Sequence, residues 1–224
     1  MGAVSRPDGD ERVSWAVGRF DGSAEEFHRR EIPEPVSRQV WIFAVQRPAL
    51  VLGSAQPEGH VDREACERFG IDVVRRRSGG GAVLVLPDVS LWIDVLLPAT
   101  DALWDDDVSA ATRWLGQVWA RAVGPGARVH SGRMVRTEWS PYVCFAGLGP
   151  GEVTVDGRKA VGISQRRTRT SARFQTIAQS RFEPRLMAAL LNVPDRPALT
   201  NELIETLAAV EVNGLAERFI AALP

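Results

Sequence analysis

The chain has 224 residues, 45% hydrophobic and 25% charged, with a formal net charge of −1. That length can bury one full core, and the near-neutral balance argues against a protein whose main work is gripping a nucleic-acid backbone. The apolar stretches are short and carry charges, so no bilayer span is expected, and MGAVSRPDGDERV lacks the apolar run of a secretory signal.

Taken as a cytoplasmic chain, its two distant cysteines, Cys66 and Cys144, read as free thiols. There is no CxxC, no HExxH and no histidine cluster, so a metal site is not expected.

Residues 1–14 are polar and punctuated by Gly and Pro, which predicts a tail ahead of one domain over 15–224. Ser23 is placed to cap a helix over Ala24–Arg30, which Pro33 and Pro35 end. Strands are expected at Gln39–Val45 and Ala49–Leu52. Asp62 then caps a helix to Phe69, stopped by Gly70.

Ile71–Arg76 reads as a strand running into Arg77-Ser78-Gly79-Gly80-Gly81-Ala82-Val83. Three successive glycines serve a loose loop equally well as a turn whose bare N–H groups cradle an anion or a carbonyl. Val83–Leu86 and Leu91–Leu97 read as a further strand pair. Asp105-Asp106-Asp107 is expected to open a long helix with Val108, Ala111, Leu115, Val118, Trp119 and Ala122 as its buried stripe.

Residues 124–151 are Gly- and Pro-rich and deliver Cys144. Glu152–Gln165 has the form of a β-hairpin turning at Asp156-Gly157. Lys159 sits just beyond that turn. It is the only lysine among 27 basic residues, and an ammonium is compact and points three donors where a guanidinium cannot. A strand-like stretch, Ala172–Ala178, and helices at 183–191, 201–209 and 215–223 complete the chain.

VVRRRSGGGAV, followed by DGRKAVGISQRR, resembles the lipoate–protein ligase and octanoyltransferase family, the biotin/lipoate ligase catalytic domain. Arg75, Arg76 and the run Ser78, Gly79, Gly80, Gly81, Ala82 correspond to its arginine pair and Gly-rich loop. Gly157, Lys159, Gly162 and Gln165 correspond to its lysine hairpin, and Val51–Pro57 to its strand-end LGxxQ.

The resemblance implies an α/β (α+β) single domain with a central mixed, largely antiparallel sheet flanked by helices. It implies an acyl pocket with the Gly-rich loop and Lys159 at its mouth. It further implies transfer of an octanoyl or lipoyl group to a lysine of a lipoyl-carrier domain, with Lys159 and the loop stabilising the oxyanion. Arg75 and Arg76 would meet the donor's phosphate or the acidic surface of an acyl carrier protein. Gly162 would let another backbone come close.

The adenylating ligases follow the loop with an aromatic-His-Asp run and the hairpin with an HG pair. Here Leu84–Val89 and Arg173–Thr176 stand in those places. No C-terminal accessory domain is expected. A transferase branch carries a cysteine shortly before the lysine hairpin and holds the acyl group on it as a thioester, which assigns Cys144 as nucleophile. That reading needs no cofactor. The alternative is a ligase that uses ATP and Mg²⁺ to activate lipoate or octanoate, and a third reading is a paralogue that binds ligand or carrier without catalysis.

Overall fold

A computed structural model describes residues 14–224; the expected tail lies almost wholly outside the described residues. The strands and helices follow as β1 (Ala16–Gly22), α1 (Ala24–Arg29), β2 (Gln39–Val45), β3 (Ala49–Leu52), α2 (Arg63–Arg68) and β4 (Asp72–Arg75). Next come β5 (Val83–Val85), β6 (Ser90–Pro98), α3 (Arg113–Val123), β7 (Ala127–Val129), β8 (Val153–Val155), β9 (Arg158–Arg167) and β10 (Ser171–Gln179). Three helices end the chain, α4 (Pro184–Ala189), α5 (Arg196–Thr206) and α6 (Leu215–Ala221).

Seven strands form one sheet in the order β1-β2-β6-β10-β9-β8-β7, and β4-β3-β5 form a second, smaller sheet. In the large sheet β1 pairs with β2 in parallel and the other pairings are antiparallel. This is the mixed, largely antiparallel α/β architecture that the resemblance implies.

Alternation along the strands divides the core in two. Val40, Ile93, Val95 and Phe174 face one way and pack with Leu115, Val118 and Trp119 of α3 and Phe219 of α6. Their sequence neighbours Trp41, Trp92 and Leu96 face the other way, toward Leu50, Leu52, Val83 and Val85 of the small sheet. Each large side chain fully buried in these layers contributes roughly 1.5–3 kcal/mol.

Local signals explain most boundaries. Ser23 and Glu26 form a reciprocal capping box at the start of α1. Asp62 accepts from the Ala65 N–H at the start of α2, and Gly70 after it has φ +65°. Asp156 and Gly157, at φ 50° and 79°, make the hairpin turn.

Four expectations are corrected. The helix expected from Asp105 begins only at Arg113, because Asp105 and Asp107 bond forward to the N–H groups of Asp107 and Ser109 and hold turns instead. Strands β5 and β6 do not pair; they belong to different sheets. The helix expected over 201–209 runs over 196–206, since Asp195 caps it at the Ala198 N–H. Strand β1 has no counterpart in the sequence reading. It is mostly exposed, so its period-two signal is weak.

Candidate acyl-transfer site

A cavity lies between the two sheets, walled by Val51, Val83 and Val85 on one side and Trp92 and Ile177 on the other. Trp92, Ile177 and Gly162 occupy one row across β6, β10 and β9, and Asp94, Gln175 and Ser164 the next row. Cys144 and Phe145 close one part of the cavity.

Backbones meet at Gly81 and at Gly53. A Cβ on Gly81 would lie 2.6 Å from the Val143 nitrogen, and one on Gly53 would run into the Gly80 carbonyl. Gly80 has φ +100°; a Cβ there would lie 2.9 Å from Arg76 Nη2 and 3.5 Å from Cys144 Sγ. Guanidinium and thiol thus converge on the Gly80 backbone. The Ala82 N–H donates to the Tyr142 carbonyl at 2.8 Å, and the Cys144 N–H to the Ala82 carbonyl at 3.0 Å, which locks the cysteine beside the loop. Among the described residues no acceptor takes the N–H groups of Gly79, Gly80 or Gly81.

Of the paired arginines only Arg76 faces inward; Arg75 stays exposed at the end of β4. Arg76 is buried and donates from Nη2 to the carbonyls of Gly79 at 2.7 Å and Gly81 at 2.9 Å. Arg75 donates to the carbonyls of Gly53 at 2.7 Å and Gln56 at 2.8 Å and pairs with Glu58. Arg76 thus ties the carbonyls of the Gly-rich loop back, while Arg75 ties those of the neighbouring 53–56 turn. The Ser78 hydroxyl lies 3.1 Å from both Ser164 Oγ and Gln175 Oε1.

Lys159 is not at the cavity mouth. It is 4% exposed, and Nζ contacts the carbonyls of Cys144 at 3.1 Å and Gly147 at 2.8 Å and the carboxylate of Glu152 at 2.6 Å. An ammonium has three donors, and all three are engaged. Glu152 in turn accepts from the Gly149 N–H at 2.6 Å and the Ile163 N–H at 3.1 Å. The lysine is thus the internal tie of the turn that carries Cys144.

Gly162 makes room for a ring, not a backbone: a Cβ there would lie 3.1 Å from Phe145, whose ring centroid is 4.9 Å from Nζ of Lys159. Gln165 lies on the opposite sheet face, donating to the Val108 carbonyl at 2.6 Å, and Ser164 lines the cavity in its place. The structure therefore brings Cys144, Arg76 and Gly162 to the cavity wall, sets Ser78 against the lining residues Ser164 and Gln175 and Gly80 against Arg76 and Cys144, and leaves Gln165 outside.

Three residues at the site went unassigned from sequence. Glu152 opens the hairpin, and its position across the turn from the sole lysine was the available signal. Gln175 occupies the row of Asp94 and Ser164. His28 is brought in from α1, far away in the chain, and no sequence pattern marks it. Among the described residues no group of three or more His, Cys, Asp or Glu side chains is placed to hold a metal. No helix described is long and apolar enough to cross a membrane.

Comparison with known proteins places this geometry in a family. The octanoyltransferase LipM of Moorella thermoacetica is 31% identical over 145 residues, 62% of this chain and 51% of that protein. The LipM of Clostridioides difficile is 26% identical over 131 residues, 56% of this chain and 48% of that protein. These alignments span about half the length of those relatives.

Among solved structures, a bipartite lipoate protein ligase of Thermoplasma acidophilum superposes with a TM-score of 0.70 at 17% identity, covering 92% of this chain and 82% of that one. Lipoate-protein ligase A bound with ATP gives 0.68 at 15%, covering 92% and 83%. At such identities the likeness is one of fold. The model of the lipoyl protein ligase A/B catalytic domain matches residues 21–216, and the chain belongs to that family.

Proposed function

We propose that this protein is an acyltransferase that moves an octanoyl or lipoyl group from a thioester donor, such as an acyl carrier protein, onto a lysine of a lipoyl-carrier domain. The observation that carries the reading is the place of Cys144. Its thiol borders an apolar cavity, lies against the Gly80 backbone, and has the Arg76 guanidinium beside it.

In the first step Cys144 Sγ attacks the donor's carbonyl carbon. A bond to Sγ forms, the donor's C–S bond breaks, and the thiol proton leaves with the donor's sulfur. In the second step the acceptor lysine's amine attacks the Cys144 thioester. The amide forms, the C–Sγ bond breaks, and a proton from the amine returns to Sγ. Donor thioester and amine become amide and free thiol, with no ATP consumed.

Negative charge grows on the carbonyl oxygen in both steps. The N–H groups of Gly79–Gly81, which have no acceptor among the described residues, are the donors this reading assigns to that oxygen. Lys159, whose donors are engaged, serves as a positioning residue beneath the Cys144–Gly147 turn and adds its charge there.

Intact-mass spectrometry after incubation with octanoyl-carrier protein, without ATP, tests the reading. A hydroxylamine-labile octanoyl adduct on the wild type and none on Cys144→Ser is the expected result. No adduct, with an acyl-adenylate formed from lipoate, ATP and Mg²⁺, would replace it by the ligase reading. No product under either condition would leave a binding-only protein.

A further inference from the structure

His28 lies on α1, is 8% exposed, and lines the cavity that also holds Cys144. It is held from three sides. Its ring lies tilted against Trp92, 4.6 Å between centroids. The end of α1 is pinned by Arg173, which donates to the carbonyls of Phe27 at 2.7 Å and Arg30 at 2.8 Å and pairs with buried Asp94 at 2.6 Å. Its Nδ1 lies 3.2 Å from Nε2 of Gln175.

That last contact sets the tautomer. Gln175 Oε1 accepts from Ser78, and the Asp94 carboxylate, within reach of the same side chain, favours the amide nitrogen on the His28 side. Nδ1 therefore accepts, and the proton of the neutral ring sits on Nε2. Burial, with the Arg173 and Arg76 cations, pushes the imidazole down to about 3, so the ring is neutral at working pH. Yet Nε2 is buried and has no partner among the described residues. A buried N–H without an acceptor is rare and destabilising.

Trp92 beneath His28 and Gly162 beside Phe145 are two strands apart in one row. With strands 4.7–4.9 Å apart, this is roughly 10 Å, about the length of an extended eight-carbon chain. We propose that His28 is a specificity residue: its Nε2–H receives a hydrogen-bond acceptor carried on the distal half of the acyl chain, an oxo oxygen or a dithiolane sulfur, and so disfavours a plain hydrocarbon chain. The inference deepens the acyl-transfer reading and rests on it for the identity of the cavity. A hydrocarbon beside the ring would leave that donor unsatisfied, whereas an acceptor-bearing chain would complete its bond.

The test is a competition among octanoyl, 7-oxooctanoyl and lipoyl thioesters of phosphopantetheine, with adducts on Cys144 counted by intact mass in wild type and His28→Leu. In the wild type an acceptor-bearing chain is expected to exceed octanoyl roughly tenfold or more, and His28→Leu to bring the ratio to parity or invert it. Whether 7-oxooctanoyl or lipoyl leads identifies the acceptor. An equal ratio in both proteins overturns the proposal.

Thermal shifts by octanoic, 7-oxooctanoic and lipoic acids are read in parallel. Discrimination there with no adduct on any protein would sink only the thioester reading, whereas adducts indifferent to His28 would sink only this one. If His28→Leu fails to fold, His28→Gln, which retains an N–H, is expected to keep the wild-type order; loss of that order in folded His28→Gln, or its absence from the wild type itself, overturns the proposal.

Discussion

The Glu152 carboxylate lies 2.6 Å from the Lys159 ammonium, and both side chains are at most 5% exposed. Each charge is completed by backbone partners, so the pair is a saturated internal junction. It joins the hairpin to the turn that presents Cys144.

Breaking that junction from either side leaves a buried charge alone. Glu152→Gln and Lys159→Met are each expected to lower stability by about 3–5 kcal/mol in urea unfolding. The double variant Glu152→Leu/Lys159→Met is expected to lose less than the sum of the singles. Lys159→Arg should not rescue thioester formation, since a planar fork cannot meet three acceptors arranged around one point.

Gly53→Ala places a methyl where the Gly80 carbonyl now sits. Gly80 must then move, and the thiol's neighbour moves with it. A lowered melting temperature and loss of the Cys144 adduct are the expected outcomes. Gly59→Ala, whose Cβ would meet nothing within 4 Å, should leave both near wild type.

His28 gives the protein a specific pH dependence. Its folded value is about 3 against an ordinary 6.5. As pH falls below 6.5 the unfolded chain takes up a proton at His28 and the native state does not. Stability contributed by this group is therefore lost as pH falls, by about 2 kcal/mol between pH 7 and 5. Urea unfolding at both pH values should show that difference in the wild type and its loss in His28→Leu, with His60 and His130 common to both.

Arg173 joins β10 to the end of α1 and to buried Asp94. Arg173→Met is expected to cost about 3–5 kcal/mol, since it strands the Asp94 charge. Amide hydrogen exchange in residues 24–30 should accelerate more than in α3, because only α1 loses its anchor.

Much of the strand order along the chain was legible because turn and cap chemistry is local. The capping box at Ser23, the Asp62 cap and the Asp156-Gly157 turn each act within a few residues. Where local competition runs the other way, as in Asp105–Asp107, acidic residues that suit a helix start also suit turns, and the side chains' own bonds decided for turns.

By itself the sequence determined the family, the single lysine, the Gly-rich loop and the cysteine ahead of the hairpin, because ordered motifs are properties of the chain. Tertiary structure alone decided how those residues face. It turned Arg76 inward onto loop carbonyls, engaged Lys159 with Glu152, set Gln165 on the far side of the sheet, and brought His28 into the cavity. The reason is physical: strand parity, burial of charge and contacts between distant segments are fixed only when the two sheets and α1 pack together.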